Sequence, residues 1–241
     1  KKLKENNLDK VFFEIEKPIM PIVKEMEDYG ILIDKTYFEN LSREYHKELD
    51  ELTKRIYKMA GSEFNINSPK QLGEILFGKL GMKVKGKSAK QSTKFSVLEE
   101  LEEEYPIIKE ILAYRELQKL LSTYIDVIPK LTGADGRLHA KFLQNGSTTG
   151  RFSSQGPNLQ NLPIKTELGK RIRGGFIAAS GHKLCAFDYS QIELRVAAIL
   201  SGDKKMTQIF KEGKDIHTGV APFVFGVPME KVDSEMRRKA K

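Results

Sequence analysis

The sequence is poor in cysteine, lacks tryptophan and contains no long apolar run. Its one cysteine, Cys185, excludes an intrachain disulfide and a metal site made of several cysteines, and it predicts a reducing, cytoplasmic setting. Because Cys185 lies in the short apolar run KLCAF, we expect it to be buried in a strand. No apolar run approaches the roughly 20 residues of a membrane span. The polar start, KKLKENNLDK, does not have the pattern of a secretory signal. We therefore expect no membrane partner.

Basic residues are in excess. The chain has 41 Lys and Arg against 33 Asp and Glu, which gives a net charge of +8 at pH 7 over 241 residues. This balance favours a polyanionic partner. Nucleic acid is favoured over a membrane surface, because no basic amphipathic helix with bulky apolar anchors is evident.

The first third of the chain has helical periodicity. After Asp34, a suitable N-cap residue, apolar residues recur at three- and four-residue steps from Leu41 to Met59. A second helix start is indicated by Ser68, Pro69 and Gln71, which form a capping box with proline at the first helical position.

Two basic features follow these helix starts. The lysine-rich segment 83–94 is either a solvated loop or a mobile basic tip that contacts phosphate groups. Farther on, a helix interrupted at Pro106 runs to Pro129, and it places Arg115 and Lys119 four residues apart on a face distinct from the apolar stripe.

From about residue 131 the pattern changes to strands and polar loops. In GRLHAKFLQN, Leu138, Ala140 and Phe142 alternate as in a strand. The long polar segment 144–163 is either a disordered linker or a functional loop. Its many Asn and Gln residues favour a functional loop, because amides donate and accept hydrogen bonds together, as base edges and sugars require.

Asp188 ends the second of two further predicted strands, 172–178 and 183–188. The helix QIELRVAAILSG follows, with Ile192 and Val196 on its apolar face. The helices followed by strands and more helices predict an α+β fold. At such a junction an aspartate is either an N-cap or a residue with a chemical role, as a metal ligand or a catalytic acid.

Further charged candidates lie near the end of the chain. Arg237 and Lys241 in MRRKAK are four residues apart and share one helix face. They are either solvated or a clamp on a triphosphate, for which the arginine fork and the lysine charge are complementary. His217 in DIHTG, taken alone, has the pattern of a surface residue.

Taken together, these motifs resemble bacterial family A DNA polymerases of the DNA polymerase I type. The similarity covers nearly the whole chain and is most specific in two segments, TTGRFSSQGPNLQNLP and DYSQIELR, which occur in the family's order. The resemblance implies that Asp188 is one of two carboxylates holding a pair of Mg²⁺ ions, with help from the backbone carbonyl of Tyr189. It implies that Glu193 excludes a ribose 2′-OH and that Gln191 lies beside the sugar and the metals.

The resemblance also assigns contacts with the triphosphate and with DNA. Those expected to contact the triphosphate are His217, Arg237 and Lys241. Those expected at the minor-groove side of the primer–template are Arg151, Asn158, Gln160 and Asn161. Those expected to hold backbone phosphates are Arg115, Lys119, Asn67 and Ser68.

The implied fold is an incomplete right-hand polymerase fold, with a helical thumb followed by an antiparallel palm sheet with helices. Its expected parts are an N-terminal lead-in (1–34), a thumb (35–130), a partial palm (131–203) that includes the 144–163 loop, and the start of the fingers (204–241).

The implied function is DNA-dependent DNA polymerase. Such an enzyme transfers deoxynucleotides from deoxynucleoside triphosphates to a primer 3′-OH on a primer–template, and we expect a cytoplasmic, nucleoid-associated monomer. The sequence stops before the family's second metal carboxylate and the aromatic residue of its fingers helix, so we expect the 241-residue chain alone to be inactive. The alternative is a non-catalytic nucleic-acid-binding fragment that keeps the thumb and minor-groove contacts.

Overall fold

A computed structural model describes residues 2–84, 92–164, 166–213 and 215–239. The chain divides into two compact units, residues 1–184 and 185–241. Among the described residues, no helix has the length and apolar character needed to cross a membrane.

The first unit begins with helical segments that lead into a strand. In chain order they are α1 (Lys2–Glu5), α2 (Asp9–Val11), a π-type segment (Phe12–Glu16), α3 (Lys17–Tyr29) and strand β1 (Ile31–Ile33). Gly30 ends α3 with φ +61, in the left-handed region where glycine avoids the steric cost of a side chain. The chain can therefore turn sharply from the helix into the strand.

The long helix α4 (Lys35–Ala60) follows the predicted pattern closely. The Asp34 side chain accepts a hydrogen bond from the Tyr37 amide at 2.8 Å, which confirms Asp34 as the N-cap. The prediction that Met59 is on the apolar face is wrong, since Met59 is 44% exposed. Ala60, four residues after Ile56, continues the buried stripe in its place.

The next helices pack against α4. They are α5 (Pro69–Gly73), which continues as a π-type segment (Glu74–Lys79), α6 (Phe95–Glu99), α7 (Pro106–Leu120), a second π-type segment (Leu121–Ile125) and α8 (Ile128–Leu131). Ser68 caps α5, but the Gln71 side chain accepts from the Asn65 amide at 2.7 Å instead of from Ser68, so the predicted capping box is half formed. Pro106 begins α7 and does not interrupt a helix, because proline fits the first helical turn.

The core of the first unit lies where α4, α7 and the segment after α7 meet. The largest fully buried side chains there include Phe38, Tyr45, Leu117, Leu121 and Ile125. Burying a side chain of this kind contributes roughly 1.5–3 kcal/mol. The core therefore fixes α7, the helix that carries Arg115 and Lys119.

Two small antiparallel sheets replace the predicted longer strands. The strand β1 pairs with β2 (Arg137–Leu138) on one side and with β5 (Phe176–Ile177) on the other, and β3 (Lys141–Leu143) pairs with β4 (Ser153–Gln155). The predicted alternating strand is thus split between two sheets, although Leu138 and Ala140 are buried as expected. Most of the predicted strand 172–178 is helical. The helical segments are α9 (Glu167–Ile172) and a 3₁₀ turn (Arg173–Gly175).

The second unit is helical in its described residues. Its helices are α10 (Ile192–Ser201), α11 (Lys204–Lys211), α12 (Ile216–Phe225), a 3₁₀ turn (Met229–Lys231) and α13 (Ser234–Lys239). The predicted strand 183–188 is wrong: no described strand pairs with it, and a strand needs a partner for its backbone hydrogen bonds. Cys185 is accordingly exposed, not buried. The predicted apolar face of α10 is also exposed, with Ile192 at 45% and Val196 at 44%.

Candidate nucleic-acid interface and nucleotide site

A basic groove lies between the start of α5 and the middle of α7. The cavity has a volume of about 700 Å³, and its lining includes Asn67, Lys70, Thr93, Lys94 and Arg115. Its lining contains three cationic side chains and no described acidic one. Such a groove attracts a phosphate backbone.

The groove is held together by hydrogen bonds between its walls. The Asn67 side-chain amide donates to the Tyr114 hydroxyl at 3.0 Å, and the Arg115 guanidinium donates to the carbonyl of Thr93. Partial burial lowers the pKa of Arg115 and raises that of Tyr114. The structure thus brings Asn67 and Arg115, which the sequence analysis assigned to phosphate contacts, to one site.

The other two residues assigned to backbone phosphates lie close by in sequence. Ser68 uses its hydroxyl oxygen to accept from the Gln71 amide at 3.4 Å, as the N-cap of α5. Lys119 is exposed, one helical turn after Arg115 on α7, and does not line the groove.

The polar segment 144–163 is ordered by its own amide side chains. The Asn158 side-chain oxygen accepts from the Gln160 backbone amide at 3.2 Å, and the Gln160 side-chain nitrogen donates to the Phe152 carbonyl at 2.7 Å. The Asn161 carbonyl accepts from the Tyr124 hydroxyl at 2.7 Å, and Arg151 is exposed. These bonds favour a shaped loop over a disordered linker, and all four predicted minor-groove residues lie in it.

A carboxylate that the sequence analysis missed anchors the base of this loop. Glu27 on α3 accepts from the Phe142 backbone amide at 2.7 Å and from the Lys141 ammonium group at 2.9 Å. The pKa of Glu27 is lowered mainly by the hydrogen bond from the Phe142 amide, and further by the hydrogen bond from Lys141. Nothing local in the sequence marks Glu27, because its partners are more than a hundred residues away.

Asp188 lies in an exposed loop and does not cap a helix. The helix α10 begins at Ile192, and its N-cap position is occupied by Gln191. The Asp188 carboxylate is exposed and has no hydrogen-bond partner in the described part of the chain. The N-cap interpretation is therefore wrong, and the expected place of Asp188 at the end of a strand is wrong as well.

The neighbours of Asp188 differ in exposure and in hydrogen bonding. Tyr189 is 79% exposed. Glu193 is exposed in the first turn of α10. The Gln191 side chain, in contrast, donates to the Asp215 carboxylate and accepts from the Ile216 amide at 3.3 Å.

The predicted triphosphate residues are only partly covered by the structure. Residue 217 lies in α12 and residue 237 in α13, but the side chains of His217 and Arg237 are outside the described part. Lys241 also lies outside the described residues. A shared face for Arg237 and Lys241 stays a prediction.

The oxygen atoms of the Asp188 carboxylate and the Tyr189 carbonyl are ligands of the kind that a hard divalent cation binds when it is also bound by a substrate. Among the described residues, no group of three or more His, Cys, Asp or Glu side chains could hold a metal ion. Mg²⁺, however, is usually bound by one or two carboxylates together with water and substrate phosphates, and it prefers oxygen ligands. The exposed Asp188 carboxylate and the Tyr189 carbonyl fit that kind of site.

The chain is similar to known proteins of DNA polymerase family A. The family model for DNA polymerase family A matches residues 35–241. The thermostable DNA polymerase I of Thermus aquaticus is 49% identical over 96% of this chain, and DNA polymerase I of Borreliella burgdorferi is 44% identical over 100% of it. The chain spans 28% and 27% of the lengths of these two relatives.

A solved structure is similar over nearly the whole chain. It is the POL domain of Pol1 from M. smegmatis in complex with DNA primer-template and dNTP. The TM-score is 0.89 at 36% sequence identity, and the match covers 99% of this chain and 42% of that one.

Proposed function

The chain belongs to DNA polymerase family A, and on that premise we propose that it forms the DNA-holding surface and part of the nucleotide site of a DNA-dependent DNA polymerase. The observation that carries the proposal is the similarity of nearly the whole chain to a polymerase domain bound to primer–template and dNTP. In this assignment residues 35–130 are the thumb, 131–203 part of the palm and 204–241 the start of the fingers. Such an enzyme would act on nucleoid DNA in the cytoplasm, as a monomer.

The DNA-holding function rests on the basic groove and the polar loop. Lys70, Lys94 and Arg115 face one cavity without a described acidic residue in its lining, and they would neutralise backbone phosphates. Asn158 and Gln160 each use one side-chain atom to shape the loop. The other amide atom of each would be offered to the minor groove. Minor-groove contacts carry little sequence information, which suits an enzyme that copies any sequence.

The nucleotide site is centred on the loop before α10. Asp188 and the Tyr189 carbonyl would hold Mg²⁺, and the bound ions would help to activate the primer 3′-OH and stabilise the leaving pyrophosphate. In the transfer, the primer 3′-oxygen bonds to the α-phosphorus of the nucleotide while the bond to pyrophosphate breaks. The chain's own part is to position the reactants and balance their charge, since phosphoryl transfer needs little covalent help from a protein. Glu193 would exclude a 2′-hydroxyl from the sugar position.

Primer extension tests the proposal. The full-length protein, given a labelled primer–template, the four deoxynucleoside triphosphates and Mg²⁺, should extend the primer according to the template. Binding of the same DNA without any extension would overturn the polymerase assignment and favour the non-catalytic nucleic-acid-binding alternative.

A further inference from the structure

Gln191 connects the Asp188 loop to the start of α12. Its side-chain nitrogen donates to the Asp215 carboxylate, and its side-chain oxygen accepts from the Ile216 amide at 3.3 Å. Ile216 is the first residue of α12, where backbone amides have no partner within the helix. One side chain therefore joins two elements of the 185–241 unit, and both of its polar ends are used.

The backbone conformation of Gln191 also indicates that the surrounding structure holds this residue in place. Gln191 has φ +55, in the left-handed region that residues other than glycine seldom occupy. Such a conformation persists where surrounding contacts determine it. A second contact fixes the same turn, because the Arg195 guanidinium donates to the Ser190 carbonyl at 2.8 Å and stacks over the Phe210 ring, 4.6 Å from its centroid.

We propose that Gln191 is a positioning residue, which holds the start of α12 against the loop carrying Asp188, and that it does not bind the nucleotide sugar. The inference rests on the proposed polymerase function. Residue 217, assigned by resemblance to the triphosphate, is the second residue of α12. Gln191 would thus fix the distance between the metal-binding loop and the helix that receives the triphosphate.

An exchange of hydrogen-bonding groups separates this role from direct sugar contact. Gln191→Glu places a carboxylate against Asp215, and the like charges disrupt the bridge. Adding Asp215→Asn restores the bridge with donor and acceptor exchanged. The side-chain amide introduced at position 215 donates to the carboxylate introduced at position 191, and that carboxylate also accepts from the Ile216 backbone amide. In the full-length protein, Gln191→Glu should raise the KM for nucleotide by about tenfold, and the double variant should recover most of it.

Two control variants separate the effect of the Gln191 side chain from that of its backbone conformation and from that of added negative charge. Gln191→Gly relieves the left-handed backbone but lacks the bridge, so its KM should also rise. Gln208→Glu makes the same change beside another carboxylate of this unit, Glu212, which accepts from Gln208 at 2.7 Å. It should leave the KM unchanged. The affinity for primer–template should be the same in all variants.

Failure of the double variant to recover would overturn the proposal, because a residue in contact with the sugar is impaired equally with or without Asp215→Asn. An unchanged KM in Gln191→Gly would also overturn it. Hydrogen exchange of the Ile216 amide gives a readout without catalysis: it should accelerate in Gln191→Glu and slow again in the double variant. If the unmodified protein does not extend primers, the polymerase assignment fails, and the exchange measurement still decides whether the bridge exists.

Discussion

Neutralising the lysines of the basic groove should weaken DNA binding in a way that depends on salt. Lys70 and Lys94 are the suitable targets, since both are exposed and line the groove. Arg115 is less suitable because it also holds the Thr93 carbonyl. We therefore consider Lys70→Gln, Lys94→Gln and their combination.

The expected magnitude follows from counterion release. Each phosphate contact contributes about 0.9 to the slope of log K against log salt. Between 50 and 200 mM salt, one contact therefore accounts for about a 3.5-fold change in affinity, and two contacts for about 12-fold. Each single variant should lower the slope by about 0.9, and the double variant by about 1.8.

Fluorescence anisotropy with a labelled primer–template, measured over a series of salt concentrations, gives these slopes. Lys54→Gln is the matched control, because Lys54 pairs with Glu51 at 2.8 Å and does not line the groove. Its slope should equal that of the unmodified protein. The assignment of the groove to DNA would be refuted if Lys70→Gln and Lys94→Gln left the slope unchanged, or if Lys54→Gln lowered it equally.

Three further substitutions test separate parts of the account. Glu193→Ala should raise ribonucleotide incorporation relative to deoxynucleotide incorporation, measured by primer extension; an unchanged ratio would remove Glu193 from sugar selection. The pKa of Glu27 is lowered in the fold, mainly by its hydrogen bond from the Phe142 amide. The ionised carboxylate therefore stabilises the folded state at pH values above the ordinary pKa of 4.5, and this stabilisation is lost as the pH falls through the folded pKa. Glu27→Gln should therefore cost about 1 kcal/mol in urea unfolding at neutral pH, and the cost should shrink as the pH is lowered below 4.5; a cost that does not change with pH would contradict this. Gly175→Ala would place a Cβ 2.2 Å from the Phe38 ring and should cost about 1–3 kcal/mol in the same assay; unchanged stability would contradict that packing.

Local signals in the sequence predicted the helical lobe well. Asp34 and Ser68 cap the helices assigned to them, because a cap depends on residues within one turn. The stripe from Leu41 to Ile56 is buried as its periodicity required. These features are encoded within a few residues, so no tertiary information was needed.

The strands were predicted poorly because pairing partners lie far apart in sequence. β1 pairs with strands about a hundred residues or more away. The apolar run that contains Cys185 resembles a strand but has no described partner, and Cys185 is exposed. Apolar composition identifies a segment able to pair, whereas the pairing itself depends on the rest of the fold.

The candidate site shows the same division. The motif around Asp188 was recognisable from the sequence, but its local geometry was not, since Gln191 and not Asp188 occupies the N-cap position. The bridge from Gln191 to Asp215 and the anchor from Glu27 to Phe142 join residues 24 and 115 positions apart. No local pattern encodes such contacts.

Nucleotide incorporation by Asp188→Asn tests the central claim most directly. Asp188 is exposed and has no hydrogen-bond partner in the described ranges, so the change should leave the fold and primer–template binding intact. Incorporation by the full-length protein should be lost, because a neutral amide lacks the anionic oxygen that Mg²⁺ prefers. Asp203→Asn is the matched control, since Asp203 caps α11 and asparagine caps equally well. It should incorporate normally. Incorporation by Asp188→Asn at the unmodified rate would contradict the account.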